Sequence, residues 1–285
     1  MLYSYLIQRF LLMFLTLLGM SIIIFVLLRL VPGNIVDIMF DSAGFVDPDE
    51  KKTIEKELGL DLPIYEQYYH WIVGLISFDL GFSYVSEMPA IDEIGPRIPI
   101  TAKLAALSLF FSILFGLPLG VISAVKQNTA LDYALRVVSL SGLSLPSFWL
   151  ALLILMACVA YTGAIPIYTE TPETLWDELL LYLLPSAAVG FRASALIMRL
   201  TRSSMLEVMR QDYIRTAMSK GASDNAINYK HALRNAVLPV TTIIGIEAAF
   251  LIGGLIITET VFNIPGVAHF LVEAILMRDL SLIHI

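Results

Sequence analysis

The feature that most restricts this chain is its series of apolar segments, each near the ~20 residues that a helix needs to cross a bilayer core. Phe10 to Leu28 carries no charge and is bounded by Arg9 and Arg29. Thr101–Val125, Val137–Val159, Leu179–Leu200 and Val240–Ile257 follow. With 58% hydrophobic and 15% charged residues in a chain of 285, and a mean hydropathy of +0.79, the apolar surface exceeds what a soluble core could hide. The expected fold class is an all-α, polytopic membrane protein with five transmembrane helices.

The net charge of -7 is unevenly spread. Acidic residues crowd Asp37 to Glu93 and Glu170 to Glu178, and basic residues crowd Arg192 to Arg234. Basic residues are retained on the cytoplasmic side, so this asymmetry reads as topology rather than nucleic-acid affinity. It puts the N-terminus and the Arg210–Pro239 segment inside the cell and the Tyr161–Glu178 loop outside. No small-x-small cleavage site follows the first span, which reads as an uncleaved anchor over residues 1–32. Residues 33–99 are too polar to span and read as an extracytoplasmic region. Residues 100–285 form the core, with a cytoplasmic loop at 201–238. The single cysteine, Cys158, excludes an intrachain disulfide and reads as a small core residue.

Within residues 33–99, Asp47-Pro48-Asp49-Glu50 supplies a helix start and Gly59 a stop. A second helix is expected over Tyr65–Ile76, with Tyr65, Tyr68, Tyr69 and Trp71 suited either to the outer interface or to a small core. Pro146, inside the third span, predicts a kink beside Trp149, either passive or part of a gate. Arg192 lies within the fourth span. A charge at a helix centre costs ~2.5–3.5 kcal/mol, so it should face protein or water or snorkel to the inner surface. Glu247 lies in the fifth span and must be protonated, paired or on an aqueous path.

The loop is the longest polar segment of the second half. Ser223 is a plausible N-cap with Asp224 in the first turn. An apolar stripe at Ala222, Ala226, Tyr229, Leu233 and Val237 follows helical spacing, with Asp224, Asn228, His231 and Asn235 opposite. Gly221 suits a corner needing positive φ. The pattern fits either a solvated connector or a docking helix for a partner.

Arg215-Thr216-Ala217-Met218-Ser219-Lys220-Gly221, followed by His231-Ala232-Leu233-Arg234-Asn235-Ala236 and Leu238-Pro239, resembles the coupling loop of binding-protein-dependent ABC importer permeases. The likeness is to the dipeptide/oligopeptide/nickel branch, in which Arg-Thr-Ala replaces the general Glu-Ala-Ala. Gly59-Leu60-Asp61-x-Pro63, Asp79-Leu80-Gly81-x-Ser83, Glu259-Thr260-Val261-Phe262, Pro265-Gly266 and Glu273-Ala274-Ile275 extend it along the chain. Three departures stand out: Phe78 where glycine is usual, Asn34-Ile35 for Asp-Pro, and Glu247 for a neutral amide.

The resemblance implies a type I ABC importer transmembrane fold in the prokaryotic inner membrane, translocating di- or oligopeptides, with nickel or oligosaccharide as alternative substrates. It implies a second homologous permease, two ABC ATPase subunits and an extracytoplasmic solute-binding protein as partners, with membrane lipid around them. ATP and Mg would belong to the ATPase subunits, and no cofactor to this chain. The coupling residues carried over are Arg215, Thr216, Ala217, Lys220, Gly221, Ser223, Asp224, Ala226 and His231. Pro146, Trp149, Arg192 and Glu247 are translocation-path candidates. The family would continue after Asp279 with a sixth crossing. The chain ends instead at Leu280-Ser281-Leu282-Ile283-His284-Ile285, a peptide also encoded in one frame of a transposon adapter, so truncation of the gene is the expectation. With no phosphate-binding loop, no His-Glu-x-x-His and only scattered histidines, the chain is not expected to be an enzyme. An ion-driven secondary transporter is the rival, and it would need several membrane carboxylates and inverted repeats.

Overall fold

The computed structural model describes residues 2–30, 36, 48–57, 59–83, 86–163 and 174–277. Two compact units emerge: residues 1–96 with 270–285, and residues 97–269.

In the first unit, α1 (Leu2–Leu30) is apolar all round and almost wholly exposed, as a helix solvated by hydrocarbon should be. Helix α2 (Pro48–Glu57) begins at the expected proline, and Gly59 follows it at φ +63. Helix α3 (Ile64–Ile76) packs on the second half of α1. Tyr68 and Trp71 lie 5.3 and 5.7 Å from the Phe25 ring, and the Ser21 and Tyr68 hydroxyls hydrogen-bond at 2.8 Å. Tyr65 and Tyr69 on the other face are exposed. A two-stranded antiparallel ribbon, β1 (Phe82–Ser83) with β2 (Met88–Pro89), leads into α4 (Ala90–Ile94). The helical reading of this region did not anticipate that ribbon.

Phe78 marks why glycine is usual at its position. It follows α3 at φ +60, Phe78 N donates to Leu75 O at 3.2 Å, and Asp79 N donates to Gly74 O at 2.9 Å. This is the paired hydrogen-bond closure in which a left-handed residue ends a helix. The phenyl ring is 84% exposed and contributes little packing. Phe78→Gly should therefore raise stability by about 0.5–1 kcal/mol, read as a higher unfolding midpoint in detergent; an unchanged or lower midpoint would refute it.

In the second unit, α5 (Ile98–Val125), α6 (Ala130–Ser144), α7 (Ser147–Thr162), α8 (Leu175–Val208), α9 (Asp212–Ser219), a π-helical segment (Ala226–Ala232), α10 (Leu233–Gly254) and α11 (Ile256–Val261) follow in order. Helix α12 (Val267–Leu276) straddles the two units. Helices α5 and α8 form its spine. An added Cβ at Gly116 would stand 2.7 Å from Ser194 O, at Gly120 2.7 Å from Met198 O, and at Gly190 2.9 Å from Ser108 O. Small residues spaced by four let two membrane helices approach to backbone contact.

Two expectations are corrected. The third span is not one kinked helix: α6 and α7 meet at 106°. Pro146 cannot donate an amide and pushes Leu145 to an extended conformation (φ -82, ψ 128), which stops α6, while Pro146 itself caps α7. Four helices are long and apolar enough to span, or five if the bent pair counts as one. Second, α8 runs 34 residues, about 50 Å at 1.5 Å per residue. It therefore continues through Arg199 and Arg202 into the segment read as loop. The departure at Asn34-Ile35, the acids Glu170 and Glu173, and the terminal hexapeptide lie outside the described residues.

Candidate functional site

The basic loop is built as two short helical pieces on a buried seat. Gly221, at φ +79, ends α9: its N–H donates to Met218 O at 2.9 Å and Ala222 N donates to Ala217 O at 3.2 Å. That is the same closure seen at Phe78, here with the residue that pays least for it. Ser223 then caps the next helix, its hydroxyl accepting from Ala226 N at 3.4 Å.

Helical winding past Asp224 differs from the expected pattern. Residues 226–232 wind as a π-helix, whose extra residue per turn rotates the later side chains. Tyr229, placed on the buried stripe by α-helical spacing, is 56% exposed, while Ile227, Asn228, Ala232 and Ala236 are buried. Ala222, Ala226, Leu233 and Val237 are half-buried, as is His231; Asn235 and Asp224 are exposed. Asn228, which α-helical spacing puts on the polar face, is turned inward for this reason.

The buried face joins a core shared with both spine helices. Ile214 of α9 packs with Val121 and Ala124 of α5, Met205 of α8, and Ile227 and Ala232 of the π segment. Tyr213 adds a polar clasp, its hydroxyl accepting from Asn235 Nδ2 at 2.7 Å and donating to His231 O at 3.5 Å. Arg215, Thr216, Lys220, Gly221, Ser223 and Asp224 project from the opposite side, and Ala217 is half-buried at its edge. Arg215 and Asp212 form an exposed pair at 3.4 Å, a contact of little energetic weight.

Beneath the loop lies a polar knot that sequence reading missed. Asp132, fully buried, accepts from Arg202 Nε at 2.8 Å and Nη2 at 2.9 Å, Ser123 Oγ at 2.6 Å and Asn128 N at 3.0 Å. It thereby ties the end of α5, the turn after it, the start of α6, and α8 into one joint. Both charges stand in segments that look like ordinary loop polarity; only their pairing across 70 residues marks them. A second buried carboxylate, Glu259, accepts from Thr101 Oγ1 at 2.7 Å and His269 N at 2.9 Å, while Thr101 Oγ1 accepts from Val267 N at 2.9 Å. This latch accounts for the pairing of Glu259 with Pro265-Gly266 in the sequence.

Among the translocation-path candidates, Trp149 N donates to Pro146 O at 3.1 Å. Glu247 is buried in α10, and among the described residues no hydrogen bond or ion pair reaches it. Arg192 is exposed on α8, and Pro146 and Trp149 are exposed at the α6–α7 break. No cluster of ligating side chains able to hold a metal occurs among the described residues.

This arrangement has the fold of an ABC importer permease. A chain of the MetNI methionine ABC transporter, crystallised in inward-facing conformations, superposes with a TM-score of 0.52 at 17% identity, covering 67% of this chain and 86% of that one. The family described as "Binding-protein-dependent transport system inner membrane component" matches residues 116–284, and "Binding-prot-dependent transport system membrane comp, N-term" matches residues 1–105. The dipeptide transport system permease protein DppB of Alkalihalophilus pseudofirmus is 35% identical over 302 residues, covering 98% of this chain and 90% of that protein. DppB of Escherichia coli K12 is 34% identical, covering 93% and 85%. The glutathione transport system permease protein GsiC of Escherichia coli K12 is 35% identical, covering 98% and 89%. The chain belongs to the binding-protein-dependent transport system inner membrane component family, as a multi-pass ABC importer permease of the dipeptide branch.

Proposed function

We propose that this permease carries di- or oligopeptides across the cytoplasmic membrane, driven by ATP hydrolysis in separate ATPase subunits. Dipeptide and glutathione systems among its relatives favour a peptide cargo over nickel or an oligosaccharide. In this reading the N-terminus and the 201–238 loop are cytoplasmic, and ATP and magnesium bind only to the ATPases. A second permease completes the pathway, and an extracytoplasmic solute-binding protein delivers the cargo. Residues 1–32 anchor the chain, 33–99 face outward, and 100–285 form the core.

The observation that carries the proposal is the two-sided loop. Its exposed side offers Arg215, Lys220 and Asp224 to a partner, and its buried side is fused to α5 and α8. A push on α9 cannot be absorbed by a slack tether. It must move Ile214 and the packed side chains behind it, because close-packed interiors transmit displacement. The Asp132–Arg202 joint then carries that movement from α8 to the α5–α6 turn.

Gly221→Pro removes both the positive φ and the N–H donated to Met218 O. Co-purified with its ATPases, the variant should insert normally yet lose most of the stimulation of ATP hydrolysis by loaded binding protein. Stimulation equal to wild type would count against the coupling assignment.

A further inference from the structure

Arg192 stands where a membrane protein places a charge at greatest cost. Helix α8 meets α5 at Gly190, where an added Cβ would stand 2.9 Å from Ser108 O and 3.0 Å from Phe111 Cβ, and at Ser194, whose carbonyl oxygen would stand 2.7 Å from a Cβ on Gly116. Arg192 lies between these two contacts and is therefore level with residues 112–116 of α5. That is the middle of the Thr101–Val125 apolar span, about 12 residues or ~18 Å along the helix from either end. A hydrocarbon layer ~30 Å thick leaves a side chain at this level ~15 Å from either surface. An arginine reaches roughly 7 Å from its Cα, and here its Cβ tilts toward the helix N-terminus, away from Arg199 and Arg202. Snorkelling to the headgroups is out of reach.

Nothing in the described part of the chain neutralises it. At about 100° per residue, Gly190 and Ser194 each lie about 160° around α8 from Arg192, so α5 covers the opposite face. Arg192 is exposed, and among the described residues no hydrogen bond or ion pair engages its guanidinium. The same face of α8 continues with Arg199, Ser203 and Glu207, all exposed. A lipid-facing helix carries apolar side chains, whereas a face that stays polar from the basic loop up to mid-span is wetted by water. Among the described residues of α5, α8 and α10, Arg192 is the one basic side chain at this depth. A fixed guanidinium on a wetted face calls for an anion, and its planar fork matches a carboxylate through two parallel hydrogen bonds. Every free peptide carries that group at its C-terminus, whatever its side chains.

We infer that Arg192 binds the C-terminal carboxylate of the cargo as it passes the middle of the membrane. The role deepens the peptide reading above and rests on it: a cation at this level recognises what all peptide cargoes share and leaves their side chains unread.

The test uses the complete transporter, this chain with its co-purifying permease, ATPases and binding protein, in proteoliposomes, and compares uptake of the dipeptide Ala-Ala with uptake of its C-terminal amide. Arg192→Gln should lower the ratio of acid to amide uptake at least tenfold while the subunits still co-purify. Arg192→Lys, which keeps the charge, should retain most of the ratio. A dipeptide acid with a photoreactive side chain gives a second readout that needs no transport of the amide. In complexes trapped with vanadate, its adducts on the peptide spanning 186–199 should fall at least fivefold in Arg192→Gln and survive in Arg192→Lys. Equal loss of acid and amide uptake, or a ratio and adducts that do not change, would overturn the inference and leave the peptide reading standing. Loss of the second permease from purified Arg192→Gln would overturn it too, by placing the guanidinium in an ion pair between subunits. A wild type that takes up neither peptide would refute the peptide cargo itself, and the inference with it.

Discussion

Asp132→Ala is expected to destabilise the permease by about 3–5 kcal/mol, the usual loss when one member of a buried ion pair is removed. The carboxylate is fully buried and takes four donors, so its removal leaves Arg202, Ser123 Oγ and Asn128 N without their acceptor. Arg202→Ala should do similar damage from the other side, leaving Asp132 buried without its bidentate partner. The pairing also predicts a non-additive cycle. Replacing both, as Asp132→Leu with Arg202→Met, should recover most of the loss, because two apolar groups of matching volume leave no orphaned charge. Unfolding midpoints of the purified protein in detergent read all three. Full additivity, or a single variant with wild-type stability, would show that the joint carries no weight. Surviving single variants should also couple poorly, since the joint connects the seat of the loop to α6.

Gly266→Ala should be nearly as severe, for a steric reason. A Cβ there would stand 2.3 Å from Glu259 Cδ and from its Oε1, so the buried carboxylate must leave its place. It would lose the hydrogen bonds from Thr101 Oγ1 and His269 N, and a buried polar group left without its partners costs about 1–3 kcal/mol. The cause is separable from any general intolerance of the turn. In a Glu259→Ala background, already destabilised, adding Gly266→Ala should cost less than ~1 kcal/mol because the clash has gone. If the second substitution remains as damaging there as in the wild type, backbone strain and not the carboxylate explains the glycine.

The two joints show where sequence reading stopped. Hydropathy located the spans because an apolar run of membrane length has few other uses, and α1, α5, α8 and α10 all formed where such runs lie. Gly221 was legible because positive φ is a backbone requirement of a single residue, and the same logic explains why Phe78 stands out. Boundaries were less legible, since α8 continues as helix after its apolar face gives way to charge. A bend at Pro146 is legible in the sequence, but its 106° size is not; it accompanies two successive extended residues, Leu145 and Pro146.

What the amino-acid order settled by itself was chemistry that is local along the chain: membrane residence, the basic loop, the turn at Gly221 and the family likeness of its flanking motifs. The tertiary structure alone decided which distant groups meet. Asp132 and Arg202 are 70 residues apart, and Thr101 and Glu259 158, separations at which no periodicity records a partner. It also decided which face of the loop is buried, because a π-helical turn at Ala226–Ala232 shifts every later side chain around the axis. That turn is selected by the packing of Ile227, Ala232 and Ala236 against α5 and α8, a constraint that arises only once the helices are assembled.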